Sequence, residues 1–378
     1  MRIAMLGLRA IGGNTSGGVE RHVEELSVRM AALGHEVTVF CRAPYAPGGD
    51  CLYKNVRLVT VPAYRSKHLE AVTATLATLP RIVSGFDIVH FHATGPSLFS
   101  WVPRLFRRKT VVTVHGLDFL RAKWSAPASA VLRAGAWTAG RCPHATIVVS
   151  RTLQRYYSER GMRTFWIPNG VNIPEQRPLQ RLKRFGLSER GYILSLGRLV
   201  PEKGLHLLIK AFAGLDTRLK LVIAGDSGLD GPYSRSLLRM AGGDERIIFT
   251  GPLFEEDKDE AFSNAEAFIL PSLLEGMPIS LLEAMSYGCP ALTADIPECE
   301  EIWADFTEKT GVPLPPGHTF ASGDADSLRA SLGILLGNTT APRDTALLSR
   351  DYARAHYAWD RLTGQTLDVY KHISAVHL

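Results

Sequence analysis

Short apolar segments alternate with stretches of helical periodicity along almost the whole chain, and this alternation constrains the fold more than any other feature. A short apolar run between turn residues predicts a strand that is buried on both faces. Helical stretches between such strands predict an α/β fold with doubly wound sheets. The predicted strands are Arg2–Leu6, Glu36–Cys41, Val56–Val61, Ile88–His92, Thr110–His115, Thr146–Ser150, Tyr192–Leu196, Leu219–Ala224, Ile247–Thr250, Ala267–Leu270 and Pro290–Thr293.

A turn-rich segment, Ile167–Pro174, interrupts the alternation near the middle of the chain. At 378 residues the chain is also longer than one ordinary α/β core, so two domains are expected. We predict a first Rossmann-like domain over residues 1–172 and a second over residues 183–355. Residues 356–378 are predicted to contain an amphipathic helix that returns to the first domain.

Composition favours a cytoplasmic protein. The five cysteines are scattered without a CxxC pair, which indicates a reducing compartment and disfavours a disulfide frame or a zinc site. The apolar start of the chain is broken too early for a signal peptide. No apolar run reaches the roughly 18–20 residues that a membrane-spanning helix needs.

The two halves of the chain carry opposite charge. Residues 1–180 hold 23 Lys and Arg against 10 Asp and Glu, whereas residues 181–378 hold 20 against 27. Aromatic and basic residues interleave over Ser97–Lys109, so we expect peripheral contact between the first domain and an anionic membrane. The alternative is a Rossmann helix whose cations lie on its outer face. No recognised motif supports nucleic-acid binding.

A glycine-rich loop follows the first predicted strand. Gly17 and Gly18 stand at the predicted start of a helix, where backbone amides can hold phosphate oxygens. The loop lacks the GxGxxG pattern, and the second strand does not end in an acidic residue for an NAD ribose, so an NAD dehydrogenase is disfavoured. Taken alone, the glycines fit an ordinary strand-to-helix turn equally well.

Two cations lie on a predicted strand-to-helix loop in the second half. Arg198 directly follows the strand and Lys203 stands at the helix entrance, in the sequence GRLVPEKG. Two cations five residues apart on such a loop can bind a diphosphate from two sides. The alternative is an ordinary surface Arg and Lys.

Two glutamates, Glu275 and Glu283, are separated by seven residues in an E-x7-E pattern. Helical geometry over this segment would place Glu283 about 80° around the axis and roughly 12 Å along it, so both carboxylates can line one cleft. Glu275 is predicted to accept hydrogen bonds from sugar hydroxyls, and Glu283 to bind a ribose diol. The alternative is that Glu283 is a solvated helix residue and Glu275 a simple helix cap. Backbone amides near the start of the helix are predicted to bind the donor at Gly276, Met277, Pro278 and Ile279.

Two DxD strings, Asp257–Asp259 and Asp324–Asp326, match a metal-binding pattern only as letters. Both lie at predicted helix starts, so capping and dipole roles explain them better. We therefore predict no metal and no cofactor, with the sugar nucleotide as co-substrate.

These motifs together resemble those of the retaining glycosyltransferases of family 4. GGVE at residues 17–20, the strand that ends at His115, GRLVPEKG, E-x7-E and the junction IPNGVN at residues 167–172 all match, over nearly the whole chain. The Arg–Lys loop with E-x7-E is the more specific part. The resemblance implies the GT-B fold, in which two Rossmann-like domains face a central cleft.

The resemblance also implies residue roles. Arg198 and Lys203 would bind the donor diphosphate and stabilise the leaving group, with Gly17 and Gly18 approaching it from the opposite domain. Glu283 would hold the ribose and Glu275 the transferred sugar. His115 would lie near that sugar at the carboxyl end of its strand. The catalytic set implied is His115, Arg198, Lys203 and Glu275.

The implied reaction is metal-independent hexosyl transfer with retention, from a UDP- or GDP-sugar to a glycan or a polyprenyl-diphosphate-linked acceptor, as in bacterial polysaccharide biosynthesis. In the family's favoured picture, the leaving diphosphate helps to deprotonate the acceptor hydroxyl. A nucleotide-sugar epimerase of GT-B fold and an inactive sugar-nucleotide-binding module remain as alternatives. The residues themselves do not distinguish the base, the sugar or the linkage.

Overall fold

A computed structural model describes residues 1–12, 17–46, 48–64, 66, 69–120, 124–225, 231–337 and 340–375. The chain divides into two compact units, one formed by Met1–Asn169 with Trp359–Leu378 and the other by Gly170–Ala358. Each unit is built on its own sheet. The predicted α/β class with two parallel sheets is confirmed.

In the described part of the first unit, eight strands form one sheet in the order β3-β4-β2-β1-β5-β6-β7-β8. Neighbouring strands pair in parallel except β3 and β4, which form an antiparallel hairpin. Their bounds are β1 Arg2–Leu6, β2 Glu36–Arg42, β3 Cys51–Tyr53, β4 Val56–Val61, β5 Ile88–His92, β6 Lys109–Val114, β7 Ala145–Val148 and β8 Phe165–Trp166.

Helices connect these strands in the manner of a doubly wound sheet. They are α1 Gly18–Ala32, α2 Glu70–Ile82, the four-residue α3 Thr94–Ser97 and α4 Val102–Leu105, α5 Ala126–Arg141 and α6 Arg151–Ser158. The C-terminal helix, Trp359–Ala375, also belongs to this unit.

The second unit has a sheet of six parallel strands among its described residues, in the order β11-β10-β9-β12-β13-β14. Their bounds are β9 Tyr192–Leu196, β10 Lys220–Ala224, β11 Ile247–Gly251, β12 Ala267–Leu270, β13 Ala291–Ala294 and β14 Thr319–Phe320. The helices of this unit are α7 Leu205–Ala213, α8 Pro232–Ala241, α9 Glu255–Asn264, α10 Ile279–Ser286, α11 Pro297–Thr310, α12 Ala325–Gly337 and α13 Thr340–Tyr357.

Three short strands escape the sequence pattern. β8 and β14 have two residues each, which is too short to show any periodicity. β3 forms a hairpin with β4 through a turn at Lys54 and Asn55, both of which have positive φ. Such a turn is typical of tight hairpins, but β3 is too exposed to show an apolar run.

The predicted end of one strand differs in a way that matters for function. The predicted strand Thr110–His115 ends at Val114 in the structure, so His115 is the first residue beyond the carboxyl end of β6. Ligands of such sheets bind at these ends. In the part of the chain that the structure describes, no helix is long and apolar enough to cross a membrane.

The C-terminal helix packs its apolar face into the core of the first unit. Leu362 and Tyr370 of this helix belong to the same buried cluster as Val23 and Met30 of α1. The Tyr370 hydroxyl also lies 2.6 Å from Nδ1 of His90 on β5, which satisfies two buried polar groups. This helix therefore completes the core that supports the ends of β5 and β6.

We predict that Leu362→Ala destabilises the protein by about 2–5 kcal/mol, because truncation of a fully buried leucine leaves a cavity. Urea unfolding of the first unit is the measurement. Lys371→Ala, at an exposed position on the same helix, serves as the control and should change stability by less than about 0.5 kcal/mol. Equal effects of the two substitutions would contradict the packing of this helix.

Candidate functional site

Two loops at the carboxyl ends of β9 and β12 are joined closely in the second unit. Gly204, just after Lys203, has a φ of +63°, and a Cβ at this position would lie 1.9 Å from the carbonyl oxygen of Pro271. Only glycine permits this approach. The backbone amide of Leu273 also donates to the carbonyl of Glu202 at 2.8 Å. The two loops are thus held together by main-chain contacts.

The side chains of Lys203 and Glu275 meet across these loops. Lys203 Nζ lies 2.5 Å from Glu275 Oε1, and the Ser272 hydroxyl donates to the same oxygen at 2.6 Å. The side chains of Glu275 and Lys203 are only 10% and 19% exposed. A charge this far from water needs a partner, so each residue fixes the position of the other. Arg198 lies half-buried just past the end of β9.

The structure corrects the geometry predicted for the two glutamates. Helix α10 begins at Ile279, so Glu275 lies in the preceding loop and the helical spacing from Glu275 to Glu283 does not apply. Pro278 is the residue before the helix rather than part of its first turn, and its extended backbone ends the loop. Glycine and proline at 276 and 278 favour this irregular path.

Glu283 instead has its own cation. Its Oε1 accepts a hydrogen bond from Lys258 Nζ of α9 at 2.6 Å, and the two side chains are 14% and 18% exposed. The predicted donor-binding segment Gly276–Ile279 leads directly into α10, with Met277 and Pro278 buried. The first amides of a helix lack intrahelical partners and lie at the positive end of its dipole, which suits an anionic ligand.

A third carboxylate lies close to Glu275. Glu298, in the first turn of α11, is half-buried, and its pKa is raised from 4.5 to about 7, first by burial and then by the charges of Glu275 and Glu301. Cys299 beside it is buried, and burial together with Glu275 raises its thiol pKa well above the ordinary value. The field of Glu275 therefore reaches α11, which the sequence pattern did not indicate.

The two DxD strings have structural partners. Asp324 Oδ1 accepts from the backbone amides of Asp326 and Ser327 at 2.8 and 3.1 Å, which is a helix cap for α12. The capping role predicted for Asp324–Asp326 is confirmed. Asp257 lies inside the first turn of α9 rather than before it, and it instead forms ion pairs with Arg181 and Arg184.

Gly17 and Gly18 begin α1 in the first unit. Gly17 is the residue before the helix, Gly18 is its first residue, and the Gly17 carbonyl accepts from the amide of Arg21 at 3.0 Å. A Cβ on Gly17 would lie 2.0 Å from Oε2 of Glu20, so that carboxylate occupies the space a side chain would need. Residues 13–16 of the predicted glycine loop lie outside the described residues.

His115 belongs to a group of four histidines in the first unit. Its Nε2 lies 3.2 Å from Nδ1 of His92, and its ring packs edge to face on that of His22 at 4.6 Å between centroids. The rings of His90 and His92 pack in a tilted arrangement with their centroids 4.2 Å apart, and the nitrogens of His90 contact Tyr370 and Thr113. His22 Nδ1 lies 3.0 Å from the side-chain oxygen of Asn169.

Burial keeps these imidazoles neutral at physiological pH. It lowers the pKa of His22 from 6.5 to about 4 and that of His90 to about 3. For His92 and His115, burial and the neighbouring histidines lower the pKa well below the ordinary value. Neutral rings can donate or accept a single hydrogen bond at each nitrogen, which suits recognition of hydroxyl groups.

Several residues that build these sites were missed in the sequence. His90 and His92 alternate along a buried strand and so share one face of the sheet, which is a readable signal. Ser272 stands three residues before Glu275, a spacing that allows a side-chain contact. His22 and Lys258 carry no local signal, and Asn169 appeared only within the junction IPNGVN, because only the tertiary fold brings these residues to their partners.

Comparisons with known proteins agree across the whole chain. Residues 16–174 match the family described as Glycosyltransferase Family 4, and residues 180–341 match the family Glycosyl transferases group 1. The phosphatidyl-myo-inositol mannosyltransferase of Mycobacterium leprae is 28% identical over 377 residues, covering 95% of this chain and 94% of that protein.

A second relative is the GDP-mannose-dependent alpha-(1-6)-phosphatidylinositol monomannoside mannosyltransferase of Mycolicibacterium smegmatis. It is 28% identical over 378 residues, covering 91% of this chain and 92% of that protein. Among solved structures, sucrose-phosphate synthase from Thermosynechococcus elongatus superposes with a TM-score of 0.79 at 21% identity, over 99% of both chains. The structural likeness shows the GT-B fold.

We predict that, at pH values above about 7, the Glu298→Gln variant melts at a higher temperature than the unsubstituted protein. Near pH 4.5 the two proteins should melt at the same temperature. Between these values the folded protein holds a proton on Glu298 that the unfolded chain has released, so this group's contribution to stability is lost as the pH rises from 4.5 to about 7. Melting curves of both proteins across this range are the measurement. Glu300→Gln, exposed on the same helix, is the control. A pH-independent difference for Glu298→Gln would contradict the raised pKa.

Proposed function

The chain belongs to the glycosyltransferases, with a family 4 domain followed by a group 1 domain, and on this basis we propose that it transfers a mannosyl group from GDP-mannose to a lipid-linked acceptor. Transfer proceeds with retention of configuration and without a metal. The Lys203–Glu275 pair supports the proposal most strongly, because it places a cation and a carboxylate together in loops at the ends of parallel strands. Arg198 lies in the same loop as Lys203, after β9.

The loop cations bind the donor diphosphate in this proposal. Lys203 has three donor hydrogens and uses one on Glu275, so the ammonium can also bind phosphate oxygens. Arg198 offers a planar fork that matches a phosphate. As the bond between the anomeric carbon and the diphosphate breaks, both cations stabilise the negative charge that develops on the leaving group.

The two glutamates bind the rest of the donor. Lys203 and Ser272 both bind Oε1 of Glu275, and we assign Oε2 to the hydroxyls of the transferred sugar. Lys258 holds the carboxylate of Glu283, which we assign to the ribose diol. We assign donor binding in this loop to the backbone amides of Gly276, Met277 and Ile279, while Pro278, which has no N–H, shapes the loop.

In the first unit, we assign His115 to the transferred sugar and the helix start at Gly17 and Gly18 to phosphate oxygens. A neutral His115 suits a sugar hydroxyl because it can accept or donate a hydrogen bond without a charge. In the transfer step, the acceptor oxygen bonds to the anomeric carbon on the face that the leaving group vacates. The proton of the acceptor hydroxyl passes to the leaving diphosphate, and catalysis rests on positioning and charge stabilisation.

The choice of donor and acceptor rests on the relatives. One is named as GDP-mannose-dependent, and both are named for transfer to phosphatidylinositol or its mannoside. A UDP-sugar donor and a glycan or polyprenyl-diphosphate-linked acceptor are the other candidates of the same class. The nucleotide-sugar epimerase alternative is distinguished by isomerisation of the donor without any acceptor, and the inactive binding module by donor binding without turnover.

An aromatic and basic surface of the first unit fits a membrane-bound acceptor. Trp101, Leu105 and Phe106, on and around α4, are 46%, 70% and 51% exposed, and Arg104 and Arg107 are exposed beside them. We call these five residues the α4 patch. Apolar side chains enter the boundary of a bilayer, and each cation near an anionic surface contributes about 1 kcal/mol. We propose that this patch docks the enzyme on the cytoplasmic face of an anionic membrane.

We predict that Lys203→Ala lowers kcat about 100-fold or more, since it removes a cation that stabilises the leaving diphosphate. Glu283→Gln should instead mainly weaken GDP-mannose binding, about 10- to 150-fold, which corresponds to the loss of a charged hydrogen bond of about 1.5–3 kcal/mol. The assay is acceptor-dependent release of GDP with phosphatidylinositol vesicles as acceptor, repeated with EDTA present.

Lys210→Ala, exposed on α7, is the matched control and should retain full turnover. Normal turnover of Lys203→Ala would remove Lys203 from the diphosphate site, and donor affinity left intact in Glu283→Gln would remove Glu283 from the ribose. Loss of activity in EDTA would contradict metal-independent transfer.

We predict that replacing Leu105 and Phe106 by serine lowers binding to vesicles that contain phosphatidylglycerol at least tenfold. The two side chains lose their apolar contact with the bilayer, while the nearby arginines remain. Vesicle co-sedimentation measures the binding, and serine at the exposed Leu238 of α8 serves as the control. Unchanged co-sedimentation of the variant with serine at positions 105 and 106 would contradict membrane docking through the α4 patch.

A further inference from the structure

Three histidines of the first unit converge on one point from three separate elements. His22 lies on α1, His92 on β5 and His115 beyond the end of β6, and we call them the histidine triad. One side-chain nitrogen from each lies within 4.8 Å of the corresponding nitrogen of both others. His22 and His92 are buried, with 2% and 0% exposure.

The hydrogen bonds of the triad leave two buried ring nitrogens without a partner among the described residues. Asn169 presents its side-chain oxygen to Nδ1 of His22, so Nδ1 carries the proton and Nε2 is the unprotonated nitrogen. In the part of the chain that the structure describes, Nε2 of His22 and Nε2 of His92 are both buried and have no hydrogen-bond partner. Such atoms in a protein interior call for a ligand or an ordered water, because a buried polar group without a partner destabilises the folded state.

We propose that the histidine triad binds a divalent transition-metal ion such as Zn²⁺ and that the bound ion inhibits sugar transfer. Imidazole nitrogens bind Zn²⁺, Ni²⁺ and Cu²⁺ well, whereas Mg²⁺ and Ca²⁺ prefer oxygen ligands. Three protein ligands leave the fourth tetrahedral position to water. In this proposal the ion takes no part in the metal-independent chemistry assigned to the donor diphosphate.

The spacing and the surroundings fit such a site. Ligand nitrogens about 2.0–2.1 Å from a tetrahedral ion lie roughly 3.3 Å apart, so the triad needs to contract by at most about 1.5 Å. Asn169 already holds the second nitrogen of His22, as outer-shell partners of metal-bound histidines do. His90 stays outside the ligand set because Tyr370 and Thr113 occupy its two nitrogens.

Inhibition follows because the ion and the sugar compete for one residue. A metal bound through His115 takes up the imidazole that we assign to the transferred sugar, so occupancy by metal and productive binding of the donor exclude each other. This part of the proposal rests on the proposed function, whereas metal binding itself does not.

Calorimetric titration of the untagged protein with ZnCl₂ tests binding without any need for activity. We expect one site per chain, at least 10-fold weaker binding in His22→Gln and in His92→Gln, and unchanged binding in His144→Gln. His144 is a control from the same unit, with a buried Nε2 that also lacks a partner among the described residues. Unchanged affinity in both triad variants, or loss of the site in His144→Gln, would overturn the proposal.

A substitution that is expected to raise the affinity for Zn²⁺ distinguishes loss of the site from failure to fold. Asn169→Asp places a carboxylate on the second nitrogen of His22, which makes the imidazole a stronger ligand, so we expect Zn²⁺ to bind about 10-fold more tightly. The visible absorption of Co²⁺ in the protein provides a second readout, because tetrahedral coordination gives an intense band. Weaker binding in Asn169→Asp would contradict the assignment of His22 as a ligand.

Inhibition by the bound ion is tested separately, in the assay of GDP release. GDP release should fall as ZnCl₂ is added, with half-inhibition near the Kd from calorimetry, and EDTA should restore it. Binding of Zn²⁺ with unimpaired GDP release would overturn the inhibition and leave the metal site standing. Absence of GDP release without ZnCl₂ would overturn the proposed function, while the calorimetric result would still decide the site.

Discussion

The ion pair of Lys203 and Glu275 is the interaction on which the proposed donor site depends. Both charges are largely withdrawn from water, so removing either one leaves the other without compensation. The pair can form only because Gly204 allows its loop to approach Pro271 at a distance that no side chain would tolerate. A backbone constraint at one glycine thus brings a lysine and a carboxylate together, and the charge of that carboxylate adds to burial in raising the pKa of Glu298 on α11.

In contrast to the ion pair of the second unit, the candidate site residues of the first unit are uncharged. Its functional candidates are neutral imidazoles, kept uncharged by burial and supported by the C-terminal helix through Tyr370. Neutral rings suit sugar hydroxyls, and the same property makes them ligands for a transition metal. The charged loops of the second unit suit a diphosphate instead. The two units therefore differ in the chemistry that they offer to a ligand.

The sequence pattern was sufficient for the fold class and for most strands, since buried parallel strands appear as short apolar runs. It failed where length or exposure removed the signal, as in β3, β8 and β14. Lys203 and Glu275 were predicted from their motifs, but their contact was not, because it depends on a loop that starts α10 at Ile279. His22 and Asn169 are 147 residues apart, and only the fold brings them together.

A thermal-shift screen against GDP, UDP, ADP, dTDP and NAD, each in excess, tests most directly whether the loops of the second unit form a nucleoside-diphosphate site. A ligand that binds only the folded protein stabilises it by about 2.7 kcal/mol at 100 times its Kd. We predict that GDP raises the melting temperature clearly above the other four compounds. A rise in melting temperature with NAD alone would contradict the account. So would the absence of any rise with the four nucleoside diphosphates.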